Sequence, residues 1–477
     1  MQAFLHDDAT DLVVDVDGEA LRADAILDLH SELVRNGIQT GDVVLVKAQN
    51  ALPGVAGILA IWLAGATVCP VDPAAGADVV DLIATEIQAR ALVETDGSLH
   101  ILDRVSPTEP WRARAYATGE DLGMVIFTSG SSGQPKGVML SNTNIMTALR
   151  SIASYLNITA QDRVLCIPPM FLDYGIYQVL FTLFSRSALV LGTGIKNPIK
   201  ILDMIKSYQP TIIPVVPALA SGLTRILNTF SQQLEGVRLV CNTGGHLAPT
   251  TIDRLRRAFP NVQVVPMYGL TESKRALYLP AELVDSHPGS VGGPMPGLDA
   301  RVVVVLDDGT LLEADDGQEG ELYVRGASVM QGYHAADAGA GARIVQGHYR
   351  DDIWLATGDL FVRDADGCLY FRGRTKALIK QRGHCLYPRD IEAVAEAQIG
   401  VRSAVVIGRT EADGDESAIL FIVPDEDSDS TTIKQSLMDA LPQTLRPRLV
   451  HFLPEWPPSP VGKIDLNALK ALAKDLT

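Results

Sequence analysis

From Asp42 to about Val240 the chain alternates short, unbroken apolar runs with longer helical patterns. The runs include Val43 to Val46, Met124 to Phe127 and Ile212 to Val216, and none shows in-out alternation. Strands of that kind are buried on both faces, as in parallel sheets covered by helices. The alternation therefore predicts an α/β fold of mostly parallel sheets, with ligands at the carboxyl ends of the strands. One apolar stretch, Val55 to Val71, approaches membrane-span length. Gly57, Gly65 and Pro70 interrupt it and Asp72 closes it, which predicts a buried helix followed by a buried strand and no membrane span.

After about Pro288 the texture changes. Short strand-like runs (Arg301 to Leu306, Gly320 to Arg325, Cys368 to Arg372) are separated by Gly- and Asp-rich turns, the pattern of a small, barrel-like β subdomain. A basic stretch follows with Arg372, Arg374, Lys376, Lys380, Arg382 and Arg389, then a helical run from Pro388 to about Ala397. The last hundred residues or so read as a separate small α+β module. With 477 residues, more than one core is expected in any case.

Charge and cysteine usage narrow the function. A net charge of −17 opposes the counterion release that drives nucleic-acid binding, so polynucleotide partners are not expected. The five cysteines, Cys69, Cys166, Cys241, Cys368 and Cys385, form no Cys-x-x-Cys pair and read as packed, reduced thiols. The N-terminus lacks the basic and apolar segments of a signal peptide, which predicts a cytoplasmic enzyme.

Directly after the Met124 to Phe127 strand comes a run of small residues that ends in a lysine: Thr128, Ser129, Gly130, Ser131, Ser132, Gly133, Gln134, Pro135, Lys136, Gly137. Glycines let backbone N–H groups approach phosphate oxygens, hydroxyls add donors, and Lys136 can neutralise a terminal phosphate. Walker spacing is absent, because Pro135 precedes Lys136 and Gly137 follows it where Ser or Thr would be needed.

With this loop on the page, the chain resembles the superfamily of adenylate-forming enzymes, which includes acyl-CoA synthetases, firefly luciferase and nonribosomal peptide synthetase adenylation domains. Further blocks in family order carry the resemblance: Ala64 to Pro73, Tyr268 to Ser273, Gly289 to Pro294, Thr357 to Asp359, Gly373 to Lys376, and Pro460 to Asp465. The resemblance implies ATP and Mg²⁺. Tyr268, with Gly269 and Gly245, would face adenine, Thr271 would touch phosphate, and Glu272 would bind Mg²⁺, a cation that needs few protein ligands. Asp359 would accept the ribose hydroxyls with help from Arg374. Lys463 would bridge the attacking carboxylate and the α-phosphate, where a preorganised cation stabilises developing charge.

The same resemblance implies a large domain at 1–373, a hinge at 374–376 centred on Lys376, and a small mobile domain at 377–477. That domain would swing after adenylation and present a face from Lys380 through Gly383 to Cys385 to a pantetheine thiol. For the acid, the resemblance implies a pocket with Asp173, Gly244, His246 and Leu270. The histidine that many acyl-CoA synthetases carry near Leu172 is absent, whereas amino-acid-activating members place an aspartate where Asp173 stands. A buried carboxylate needs a partner, and a substrate amine is the simplest one. His246 could hydrogen-bond the acyl side chain or adenine, with a satisfied structural histidine as the alternative.

An amino acid passed to a separate phosphopantetheinyl carrier protein is therefore the favoured reading. The alternatives are a fatty or aryl acid passed to coenzyme A, or a catalytically silent nucleotide-binding homologue. The presence of Glu272, Asp359, Arg374 and Lys463 in their expected blocks speaks against a silent protein.

Overall fold

The computed structural model describes residues 13–14, 18–102, 117–129, 135–192, 198–229, 233–306, 308–334, 343–347, 352–375, 379–381, 384–411, 416–425, 428–457 and 464–476. Two large sheets have parallel centres, as the apolar runs require. In the eight-stranded sheet, Val13–Val14, Ala188–Leu191, Arg163–Cys166, Ile212–Val215, Leu239–Asn242 and Gln263–Leu270 run parallel. Lys274–Tyr278 and Gly293–Pro294 then close the edge antiparallel.

The seven-stranded sheet places Thr67–Val71 between Leu122–Ser129 and Val43–Lys47, all parallel, with Ala91–Val93 next. Pro135–Ser141, Gly332–Tyr333 and Leu99–Ile101 add antiparallel strands at its two sides. The helix Leu52–Leu63 has no polar face and is buried from Gly54 to Trp62. Such a helix must be enclosed on all sides. The strand Thr67–Val71 that follows is buried throughout, so the Val55 to Val71 stretch folds as its composition implies.

Past Pro288 the six-stranded sheet is antiparallel, with Leu298–Val305, Glu319–Gly326, Ile353–Arg363 and Leu369–Arg374 as its main strands. Beyond it, Val401–Thr410, Glu416–Pro424 and Leu449–Phe452 form a three-stranded sheet flanked by the helices Pro388–Glu396, Ser430–Ala440 and Leu466–Asp475. Two apolar clusters there draw only on residues from Ile379 onward. Ion pairs from Arg372 to Asp390 (2.9 Å) and from Arg254 to Asp425 (3.7 Å) lean this α+β unit on the larger part. No helix among the described residues is long and apolar enough to cross a membrane.

Candidate functional site

Among the described residues, Thr128, Asp173, Gly244 to His246 and Tyr268 to Glu272 lie at or beyond the carboxyl ends of parallel strands in the two large sheets, whereas Asp359 and Arg374 lie on the antiparallel six-stranded sheet. Leu122–Ser129 and Pro135–Ser141 pair antiparallel with Thr128 opposite Lys136, so both ends of the Gly/Ser-rich run are held on paired strands. Gly130, Ser131, Ser132 and Gly133 lie outside the described residues, as does the side chain of Ser129. Lys136 Nζ stands 5.4 Å from the centre of the Tyr333 ring. Tyr333 reaches it because Gly332–Tyr333 pairs along the outer edge of that strand pair.

Tyr333 also ties this strand pair to Glu272. Its hydroxyl donates to Glu272 Oε1 at 2.7 Å, and the Met330 N–H donates to the Glu272 carbonyl at 2.7 Å. The first of these is charge-assisted and orients the carboxylate firmly, while the second fixes the backbone. Glu272 and Thr271 occupy a tight turn between the strands Gln263–Leu270 and Lys274–Tyr278. The block from Tyr268 to Ser273 thus bends between two strands, with Leu270 paired to Lys274 across the turn. Gly269 is required there, because a Cβ would fall 1.9 Å from the Lys274 carbonyl oxygen.

Lys274 follows Glu272 by two residues, and its side chain has no exposed surface. Its Nζ lies 3.7 Å from Asp173 Oδ2 and 5.4 Å from the centre of the Tyr177 ring. Burial pushes the Lys274 ammonium down to about 8, with Asp173 opposing the shift and Arg275 adding to it. Asp173 opens the helix Asp173–Ser185, where the macrodipole favours a negative charge. The sequence pointed to a substrate amine as the simplest partner for Asp173; the chain itself provides a cation instead. Arg275 is buried as well, with its guanidinium 4.5 Å above the Tyr174 ring.

Asp359 is 5% exposed and is held on both oxygens. Tyr268 donates its hydroxyl to Oδ2 at 2.6 Å, and Arg374 Nε is 3.3 Å from Oδ1. Burial raises the Asp359 pKa, against the pull of Arg374 and of the Tyr268 hydrogen bond. The Tyr268 ring sits in an aromatic cage, 4.9 Å from Phe361 and 6.4 Å from Phe371 between ring centres.

After the strand Leu239–Asn242, Gly244 takes a φ of 80°, and Asn242 Nδ2 donates to the Gly245 carbonyl at 3.0 Å. His246 follows beside a cavity of about 10 Å³ lined also by Asn242, Ile252, Leu279, Gly289 and Ser290. Burial, with the Arg389 charge beside it, pushes His246 down to about 3, so the ring is neutral at ordinary pH. Lys376, Gly383 and Lys463 lie outside the described residues. Lys380 is described only as backbone, in the strand Ile379–Gln381 and paired with Cys385.

Three polar residues in this region had not been singled out from the sequence: Tyr333, Lys274 and Arg275. The last two could have been, because adjacent cations directly before the apolar run Ala276 to Leu279 are unusual.

Residues 24–334 match the family of AMP-binding enzymes. The chain belongs to this family. It is an adenylate-forming ligase by that membership, with relatives among both peptide synthetases and CoA ligases. An isonitrile lipopeptide synthase of Streptomyces coeruleorubidus is 30% identical over 94% of the chain and 31% of the relative's own length. Bacitracin synthase 1 of Bacillus licheniformis is 27% identical over 93% of the chain and 8% of the relative. The chain therefore spans about a third or less of these synthases. A 4-coumarate–CoA ligase of Pinus taeda is 24% identical over 91% of the chain and 85% of the ligase.

Among solved structures, ATP-bound MatB from Rhodopseudomonas palustris superposes with a TM-score of 0.82 at 24% identity, over 98% of this AMP-binding enzyme and 97% of MatB. The o-succinylbenzoate CoA synthetase of Bacillus subtilis, in complex with its acyl-adenylate intermediate, superposes with a TM-score of 0.81 at 21% identity, over 100% of this chain and 98% of that one. These likenesses establish the fold.

Proposed function

We propose that this AMP-binding enzyme couples the carboxylate of an acid to the α-phosphorus of ATP, releases pyrophosphate, and then passes the acyl group to a phosphopantetheine thiol. The observation that carries the proposal is a chain of contacts: Tyr333 links the strand pair bearing Thr128 and Lys136 to Glu272, and Tyr268, from the same block as Glu272, holds the Asp359 that pairs with Arg374. The run from Thr128 to Lys136 holds the β- and γ-phosphates, which depart as pyrophosphate. Asp359 and Arg374 take the ribose, and Tyr268 with Gly245 and Gly269 takes the base. Because Tyr268 and Arg374 already hold the Asp359 oxygens, a ribose diol must share or displace those contacts.

Glu272 fits a magnesium ion: it is half-buried, and Tyr333 orients one carboxylate oxygen. Mg²⁺ bound there would supply charge neutralisation for the phosphates. Thr271 and Lys463 complete the group around the α-phosphate, Lys463 as the mobile cation. The small domain, 377–477, swings on the hinge 374–376 at Lys376, and the face with Lys380 and Gly383 then guides the thiol.

For the acid we keep two readings. An amino acid loaded onto a separate carrier protein is supported by Asp173 at a helix start and by the peptide-synthetase relatives. A non-amino acid converted to a coenzyme A thioester is favoured by the Lys274–Asp173 pair, which meets the charge need of Asp173 without any substrate amine. Gly244, His246 and Leu270 would line the same pocket.

Acid-dependent ATP–pyrophosphate exchange over α-amino, β-amino, aryl and fatty acids tests the proposal, with Lys463→Ala as control. Exchange with none of the acids rejects it. A loss in Asp173→Ala confined to amino acids selects the first reading, and an equal loss for all acids counts against it.

A further inference from the structure

Away from the nucleotide side, dissimilar metal-ligating atoms converge at the far turn of the Ile353–Arg363 and Leu369–Arg374 hairpin. His287, Asp364 and Cys368 each offer one such atom, all within 4.8 Å of one another. Asp366 adds a fourth donor. Its Oδ2 lies 3.2 Å from His287 Nε2, and Asp364 Oδ2 lies 3.9 Å from the same nitrogen. A tetrahedral zinc ion, with bonds of about 2.0–2.3 Å, spaces its ligand atoms by about 3.3–3.8 Å. Both carboxylates already stand near that spacing from the ring nitrogen.

The surroundings orient these donors. Ser286 Oγ donates to the Leu283 carbonyl at 3.1 Å and lies 2.8 Å from His287 Nδ1. A hydroxyl has one proton to give, so in the tautomer with Nδ1–H donating to Ser286, Nε2 is turned toward the carboxylates without a proton. A neutral ring would then set its Nε2 lone pair against carboxylate oxygens, a conflict that a bound cation removes. Asp364 is held in place too: Oδ1 accepts from the Asp366 N–H (3.0 Å) and the Cys368 N–H (2.8 Å), and Oδ2 accepts from the Tyr370 hydroxyl (3.0 Å). Histidine and carboxylate ligands of metals are oriented by outer hydrogen bonds of this kind.

We propose that His287, Asp364, Asp366 and Cys368 bind a zinc-class divalent ion. Thiolate and imidazole ligands suit zinc and not magnesium or calcium, so the site is chemically distinct from Glu272. On binding, the thiol proton of Cys368 passes to solvent as the metal–sulfur bond forms. The ion pins the hairpin turn to the 286–291 segment, adding to the backbone bonds between Leu369 and both Val291 and Gly292.

The full chain, stripped with a chelator and titrated with Co²⁺, tests the site. The expected result is one equivalent bound with a near-ultraviolet thiolate-to-cobalt band, because Co²⁺ at Glu272 gives no such band. Cys368→Ser should abolish the band. Asp366→Asn, at a side chain 79% exposed, should weaken binding by at least about tenfold without lowering the metal-free melting temperature. Absence of the band in the parent chain, or an unchanged band in Cys368→Ser, overturns the proposal. So do His287 NMR signals that Zn²⁺ leaves unmoved.

Discussion

Lys274 Nζ lies 3.7 Å from Asp173 Oδ2, with the lysine side chain wholly buried and the aspartate largely so. Removing one partner of such a pair strands the other, at a cost of about 3–5 kcal/mol, whereas replacing both is close to neutral. Lys274→Met should therefore lower the stability of the fold sharply, and Lys274→Met with Asp173→Asn should recover most of it. Urea unfolding of the two variants checks this. Equal losses in the single and the double variant would mean that the pair does not act as a unit.

The depressed Lys274 pKa gives a pH signature. Its folded value is about 8, below the ordinary lysine value of about 10.4, so between those limits the unfolded chain holds more protons. Stability from this group must then rise with pH across that window, as the cost of burying the charge is relieved. Unfolding midpoints at pH 7.5 and 9.5 should show a smaller rise, or a larger fall, in Lys274→Met than in the parent. For an amine-bearing acid, loss of the Lys274 charge also frees Asp173, so KM for that acid should fall as pH climbs through about 8. A flat KM would favour the non-amino acid.

Tyr333 is expected to act as a positioning residue for Glu272. Tyr333→Phe removes one hydroxyl at 2.7 Å and leaves the ring beside Lys136. The apparent Mg²⁺ requirement of exchange should rise by about tenfold, the scale of an outer-shell contact. Stability should fall by only about 1 kcal/mol. A variant with unchanged Mg²⁺ dependence would show that Tyr333 serves packing alone.

At the nucleoside end, Tyr268 and Asp359 should separate. Asp359→Ala removes the acceptor of a charged hydrogen bond, an effect of about 1.5–3 kcal/mol, or roughly 10–150-fold in kcat/KM for ATP. Tyr268→Phe keeps the caged ring and releases one Asp359 oxygen, so it should change kcat/KM for ATP by less than about tenfold. Comparable losses in the two would assign the Tyr268 hydroxyl a direct part in nucleotide binding.

Much of this was legible in the sequence because it is written locally. Val43 to Val46 and Ile212 to Val216 announce buried parallel strands through unbroken apolar side chains, and the structure places both in parallel sheets. The block containing Glu272 was visible, but its shape was not. Whether Tyr268 to Ser273 turns into a helix or a strand depends on Gly269 passing the Lys274 carbonyl, a contact made only on folding. The partner of Asp173 was hidden for a similar reason, since about a hundred residues separate it from Lys274 and no local period links them. Tyr333 escaped notice because its importance arises from sheet pairing with Val138, far away along the chain.

The central claim is that an acid oxygen attacks the α-phosphorus of ATP. Incubating the enzyme with ATP, thiol and an accepted acid labelled with oxygen-18 in its carboxylate follows that oxygen directly. The adenylate keeps one carboxylate oxygen as the bridge to phosphorus, and attack of the thiol on the carbonyl leaves it on AMP. One labelled oxygen in AMP, and none in pyrophosphate, is the predicted result. Label in inorganic phosphate with ADP as the nucleotide product, or AMP free of label, would contradict it.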